Sequence, residues 1–203
     1  MKLLTPPENI DCWQLPIPDA EIFYYPNFYE QVKANALFKK LYEETQWQED
    51  DITIFGKTYK QPRLTALYGN NEKAYKYSNI IMFPKKFTET LLELKNDVEK
   101  VSPEKFTSVL LNLYRDGSDS NGWHSDNEKE LGNLPFIASL SFGAKRSFQL
   151  KHITVASQRF KIELANGSLI LMGGETQKNY KHQLPKTKRP LTQRINLTFR
   201  TIY

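Results

Sequence analysis

A single cysteine, Cys12, excludes any disulfide within the chain and fits a reducing compartment. No stretch approaches the roughly 18 consecutive apolar residues that a membrane-spanning helix requires. The opening MKLLTPPENI lacks the apolar run of a secretory leader. Repeats and low-complexity tracts are absent as well. These gaps lead to the expectation of an intracellular, soluble protein with no membrane partner: cytoplasmic, or nuclear in a eukaryote. Histidine is scarce, with three residues, His124, His152 and His182. Any imidazole-based metal site must be built from these.

What is present suits one domain, or one domain with an N-terminal extension, since 203 residues can bury a sizeable core. An aromatic content of 13% argues against disorder. The formal charge of +5 fits a polyanionic partner, although many proteins without one carry as much. The proline-rich first twenty residues, with Trp13, read as an extended arm. Pro26-Asn27 marks a helix start with Asn27 as N-cap, and Phe28, Val32, Leu37, Phe38, Leu41 and Tyr42 recur at helical spacing to about Gln46.

From Asp51 the pattern changes to a short hairpin, with Phe55-Gly56-Lys57 at its tip and Lys57, Lys60 and Arg63 around it. Tyr68 to Asn71 reads as a turn, followed by Tyr75-Lys76-Tyr77. Aromatics interleaved with lysine suit base stacking and phosphate holding, and are equally common in ordinary strands. A second helix is predicted from Pro84 to Val101, with Phe87, Leu91, Leu94 and Val98 on its packing face. Beyond Phe106 the chain reads as strands without helices: 107–114, 135–142, 147–152, 159–164, 168–172, 180–183 and 192–201. That succession predicts a sandwich or jelly roll, mainly β with N-terminal helices, in the α+β class.

Two motifs carry chemistry. His124-Ser125-Asp126 with the later His182 supplies two imidazoles and one carboxylate, the facial set of non-haem Fe(II) oxygenases. Zinc competes for such a set, as in hydrolases. The run Arg194-x-Asn196-x-Thr198-x-Arg200 argues for the oxygenase, because residues two apart on a strand share a face. Ile195, Leu197 and Phe199 take the other face. Two guanidiniums turned toward a barrel interior call for an anion, and a dicarboxylate is matched by their bidentate geometry. His152 has no partner by spacing and reads as structural or exposed.

Asn112-x-Tyr114, His124-x-Asp126, His182 and Arg194-x-Asn196-Leu197-Thr198-Phe199-Arg200 together resemble the AlkB family of Fe(II)- and 2-oxoglutarate-dependent dioxygenases. The resemblance runs from about Phe55 to the C-terminus and is nearest to members that repair alkylated double-stranded DNA. It implies a double-stranded β-helix, a kind of jelly roll, with a hairpin nucleotide-recognition lid. It also implies Fe(II) on His124, Asp126 and His182, with 2-oxoglutarate and O2 as co-substrates. Arg194 and Tyr114 would hold the distal carboxylate, Arg200 and Asn112 the metal-chelating end, and Asn196 and Thr198 the same wall. The implied reaction oxidises 2-oxoglutarate to succinate and CO2 and releases the N-methyl group of a base as formaldehyde.

By the same resemblance Tyr77 stacks on a flipped base with His124 on its other face, while Tyr75 and Lys76 touch the strand. Asn127 and Glu128 fall where the family places polar base contacts, although close homologues carry an acid at the position of Asn127. Phe55 would be the wedge that fills the duplex, with Gly56, Lys57 and Arg63 supporting it. The expected layout is a lid and helical extension over residues 1–105 and a catalytic core over 106–203, integrated as one domain and acting as a monomer on DNA. An RNA or protein demethylase of the same superfamily, or a silent nucleic-acid-binding module, are the alternatives.

Overall fold

A strand with one dry and one wet face must alternate, and a strand buried on both faces need not. The C-terminal half of this chain contains both kinds. The computed structural model describes residues 1–54, 56–70, 75–77 and 80–203. Before residue 105 the chain forms β1 (Lys2–Leu4), β2 (Trp13–Gln14), β3 (Glu21–Tyr25), α1 (Gln31–Glu44), β4 (Asp51–Ile54), β5 (Lys57–Lys60), β6 (Leu64–Gly69), β7 (Tyr75–Tyr77), β8 (Ile80–Met82) and α2 (Glu89–Glu99). There follow β9 (Ser108–Tyr114), β10 (Asn121–His124), β11 (Ile137–Gly143), β12 (Arg146–His152), β13 (Arg159–Leu164), β14 (Ser168–Gly173), α3 (Thr176–Asn179), β15 (Tyr180–Leu184) and β16 (Arg194–Arg200).

The large sheet runs β2-β3-β14-β11-β16-β9-β6 and the small one β1-β13-β12-β15-β10. Their inner faces enclose one apolar cluster that includes Leu110, Phe148, Leu150, Ile162 and Met172. The outer face of the large sheet, with Leu111, Leu140, Ile195, Leu197 and Phe199, is covered by Leu37 and Leu41 of α1 and Leu91, Leu94 and Val98 of α2. Hence β9, β14 and β16 are buried along their whole length. In contrast β12 alternates, with Phe148 and Leu150 inward and Ser147, Gln149 and Lys151 outward, because its outer face meets solvent. This is the expected jelly roll, with hairpins β4–β5 and β7–β8 set apart from the main sheets.

Several elements differ from the sequence-based expectation. Strands of the proline-rich arm pair into both sheets: β1 runs parallel to β13 and β2 antiparallel to β3. Asn27 is not the cap of α1, since Tyr29 N–H donates to Gly167 O and pins that segment to the turn before β14. The helix starts after Glu30, which turns Val32 outward to 83% exposure. The second helix starts later than Pro84, where Thr88 Oγ1 accepts from Leu91 N–H and caps it. Tyr68 and Gly69 are not a turn; they complete β6, opposite Val109 and Ser108. Two short helical segments interrupt the C-terminal strands, a 3-10 turn at Lys129–Leu131 and α3, which carries buried Gln177. No helix among the described residues is long and apolar enough to cross a membrane.

Candidate active site

Antiparallel pairing of β16 with β9 and β11 sets the wall of a cavity between the sheets. Arg194 lies opposite Tyr114, Asn196 opposite Asn112, and Thr198 opposite Leu110. On the other side Ser141 pairs with Asn196 and Ser139 with Thr198. The facing wall carries His124 of β10 directly across from His182 of β15. All of these side chains except Ser141 line the same cavity. The polar stripe Arg194, Asn196, Thr198, Arg200 is therefore turned inward, and the apolar stripe between them packs under the helices.

The metal-ligand candidates converge at one end. His124, Asp126 and His182 each offer an atom within 4.8 Å of the others'. Asp126 Oδ1 is 3.9 Å from His124 Nε2, and Oδ2 is 3.9 Å from His182 Nε2. Local bonds hold His124 and Asp126. His124 Nδ1 is 2.7 Å from Gly122 O, which leaves Nε2 on the cavity side. Arg200 donates to Asp126 Oδ1 at 2.8 Å, and Gln177 Oε1 accepts from Asp126 N–H at 2.9 Å. Burial opposes ionisation of Asp126, but the Arg200 guanidinium and the two imidazoles prevail and hold its pKa down at about 2. Burial, reinforced by neighbouring His124, pushes the pKa of His182 down to about 3. Near neutral pH the pair is thus a carboxylate and a neutral imidazole, the forms that ligate metal. His124 is the accessible member, with 24% of its side chain exposed against 1% for Asp126 and 6% for His182.

At the other end Arg194 is 2% exposed. It donates to Ser141 Oγ at 2.9 Å and lies 5.3 Å from the Tyr114 ring centre, and no carboxylate forms an ion pair with it among the described residues. Its Nε–H has no acceptor. Burial lowers its pKa to about 10, still leaving a cation at neutral pH. A buried guanidinium with an unused donor, facing a cavity, is a site that an anion completes. Asn196 and Thr198 are already satisfied within the wall: Asn196 Nδ2 donates to Ser139 Oγ and Leu140 O, and Thr198 Oγ1 donates to Asn196 Oδ1. The set of two imidazoles and a carboxylate, with a buried cation at the other end of the cavity, fits Fe(II) and 2-oxoglutarate.

The substrate-side residues are less gathered. Lys57 is exposed on β5, opposite Ile54, and Gly56 in the turn has φ 75°. Phe55 lies outside the described residues. Tyr75, Lys76 and Tyr77 form β7, with side chains outside the described ones. Asn127 is exposed beside the metal ligands and Glu128 is half-buried. Arg63 departs from the reading as a phosphate holder: it is buried, donating from Nε to Asn112 Oδ1 at 2.8 Å and from an Nη to Ser120 O. β6 hydrogen-bonds to β9, and that pairing sets the residue before it behind Asn112, which lines the cavity.

Two residues went unnoticed in the sequence. Gln177 braces the Asp126 backbone from a helical turn that no periodicity announces. Arg146 is 3% exposed and donates to the carbonyls of Asp116, Asp119 and Pro185, tying the loop before β10 to the end of β15. Its signal was legible: it keeps the inward phase of Phe148 and Leu150.

A sequence model of the 2OG-Fe(II) oxygenase superfamily matches residues 21–200, a span that holds every residue of this cavity. Alpha-ketoglutarate-dependent dioxygenase alkB homolog 3 of Bos taurus is 42% identical over 192 residues, covering 88% of this chain and 65% of the relative. DNA oxidative demethylase ALKBH2 of Mus musculus is 35% identical over 188 residues, with 88% and 79% covered. The chain spans about two-thirds of the length of the alkB homolog 3 relatives. The solved structure of OsALKBH1 superposes with a TM-score of 0.67 at 16% identity, covering 93% of this chain and 99% of that one, so the fold is shared. With the metal-ligand cluster, the arginine-closed recess and these matches in agreement, the chain belongs to the AlkB family within the 2OG-Fe(II) oxygenase superfamily.

Proposed function

We propose that the chain is an Fe(II)- and 2-oxoglutarate-dependent DNA demethylase, acting on N-methyl adenine and cytosine lesions in the compartment that holds the DNA. One observation carries the chemistry: His124, Asp126 and His182 converge at one end of a cavity whose other end is closed by a buried, under-bonded Arg194. The substrate class comes from relatives named DNA oxidative demethylase. Bound Fe(II), held by the two imidazoles and the carboxylate, would supply the activation of O2 that oxidises the methyl group. The chain's own residues bind and orient. Arg194 takes the distal carboxylate with the Tyr114 phenol beside it. Asn112, its amide oxygen engaged by Arg63, turns Nδ2 toward the chelating end of the co-substrate. Arg200 keeps Asp126 ionised and aimed. The base enters over His124, the exposed ligand, and Tyr77 stacks on it.

Duplex DNA as the preferred substrate, base flipping and action as a monomer are further parts of this reading. Opening a pair costs a few kcal/mol in a duplex and little in a single strand. The β4–β5 hairpin, with Gly56 at positive φ and Phe55 before it in the chain, supports a wedge for that step. Phe55→Ala should slow demethylation of a methylated duplex by more than tenfold while sparing the same lesion in a single strand. Equal losses on both would remove the wedge.

The test of the function itself is anaerobic loading with Fe(II) and 2-oxoglutarate, admission of O2, and mass spectrometry of oligonucleotides with defined lesions. Loss of the methyl group with matching formaldehyde is expected from DNA. Turnover of methylated RNA or of a methylated peptide, with the DNA intact, would replace the substrate class and keep the chemistry.

A further inference from the structure

The outer face of the small sheet places three cations side by side on three strands. Lys151 of β12 is the direct cross-strand partner of Lys181 of β15 on one side and of Arg159 of β13 on the other. The alternation that turns Leu150, His182 and Phe160 inward turns all three outward. Lys161 follows on β13, opposite Gln149, which accepts from Gln183 Nε2. On the outward positions of these three strands the one carboxylate is Glu163, at the far end of the face opposite Ser147. Among the described residues no ion pair or hydrogen bond engages the side chains of Lys151, Arg159 or Lys181.

Like charges set directly opposite each other on paired strands are destabilising. Two such pairs in one row, with no acid interleaved, weaken the sheet unless an anion covers them. A second feature narrows the anion. Lys151 Nζ lies 4.5 Å from the centre of the Trp123 ring, and Trp123 immediately precedes His124, the accessible metal ligand. A flat aromatic beside a cation is the pairing that receives a base and its phosphate. The spacing agrees. Adjacent strands lie about 4.8 Å apart, so the row spans about 10 Å, while each strand of a duplex presents a phosphate about every 3.4 Å of axis. The row is thus long enough to face successive phosphates of one strand.

We propose that the Lys181–Lys151–Arg159 row, with Trp123 at its edge, is a second nucleic-acid contact outside the metal cavity. It holds the phosphates of the strand that leads away from the nucleotide lodged over His124. The inference rests on the proposed action on DNA for the identity of the polyanion. It differs from the lid contacts because it lies on the small sheet, to which neither lid hairpin belongs, and it carries no base specificity.

The decisive measurement is fluorescence anisotropy with an unmethylated oligonucleotide across a salt series, using the metal-free protein. Three proteins are compared: the native chain, the triple variant Lys151→Gln, Arg159→Gln, Lys181→Gln, and a control that loses the same charge from α1 (Lys33→Gln, Lys39→Gln, Lys40→Gln). The triple variant should lower the slope of log Kd against log salt by about 2 for a single strand and weaken binding about tenfold or more at moderate salt. It should keep or raise Tm, and 2-oxoglutarate binding should stay as in the native chain. The α1 control should keep the native slope. Equal slopes in the native and triple-variant proteins would overturn the proposal even if methylated DNA is repaired. A slope lost in the triple variant but not the control would sustain the proposal even if no lesion is demethylated, leaving only the enzymatic reading to fall. A native chain that binds no oligonucleotide would end both.

Discussion

Arg194 and Arg63 illustrate how much depends on a single buried guanidinium. Arg194 is taken out of water without an ion-pair partner among the described residues, so folding bears its desolvation and an anion recovers it. Arg194→Ala should therefore raise the KM for 2-oxoglutarate roughly a hundredfold, about 2.7 kcal/mol, while Tm of the ligand-free protein holds or rises. A fall in Tm with an unchanged KM would make Arg194 a structural residue. Arg63 is expected to behave unlike a phosphate ligand. Because its Nε holds Asn112 Oδ1, Arg63→Gln should lift the 2-oxoglutarate KM several-fold and leave the salt dependence of DNA binding as it was. A reduced salt slope in that variant would return Arg63 to the DNA surface.

Turns determine whether the strands can present these side chains in phase. Between β13 and β14 the chain reverses through Gly167, with φ 76°, and its carbonyl accepts from Tyr29 N–H at 2.9 Å. A Cβ at Gly167 would lie 2.4 Å from the Tyr29 carbonyl oxygen, in backbone that cannot yield cheaply. Gly167→Ala combines a strained dihedral with that collision and should cost about 2–4 kcal/mol, a drop in Tm of roughly 4–16 °C for a chain of this size. Thermal denaturation checks it, and a Tm within a degree of native would contradict the geometry. Element boundaries depend on distant contacts as well as on local spacing. Helical spacing correctly placed Leu37 and Leu41 on the packing face of α1, because spacing is a property of one helix. It misassigned Val32, since the anchor at Tyr29 is a contact with a residue 138 positions away.

The molecule as a whole inherits a pH dependence from its cavity. In the metal-free state His182 titrates near 3 when folded against an ordinary value near 6.5 when unfolded. Between those values the unfolded chain binds the extra proton, so stability falls as pH drops from about 6.5 toward 3. Asp126, lowered to about 2, adds stability that is complete above its ordinary 3.8 and is lost as pH falls from there toward 2. Tm of the metal-free protein should accordingly decline from pH 7 to pH 5, before Asp126 contributes. The His182→Gln variant should flatten that decline. A level Tm over this window in the native chain would show that His182 is protonated or hydrated in the folded state.

The chemistry was legible in the chain because it is written locally. Period-two alternation alone groups Arg194, Asn196, Thr198 and Arg200 on one face, and the H-x-D spacing offers two ligands on one segment. The alternation of β12 even marks Arg146 as inward. Pairing is not local. That Arg200 grips Asp126, that Arg63 turns to Asn112, and that Lys181, Lys151 and Arg159 stand abreast are all consequences of register between distant strands. Proline spacing in the first twenty residues could not reveal that β1 and β2 close the edges of two sheets, because an edge strand gains its structure from the neighbour that offers it hydrogen bonds. Side-chain direction is a property of one strand, whereas partners belong to the sheet, and only the folded chain selects them.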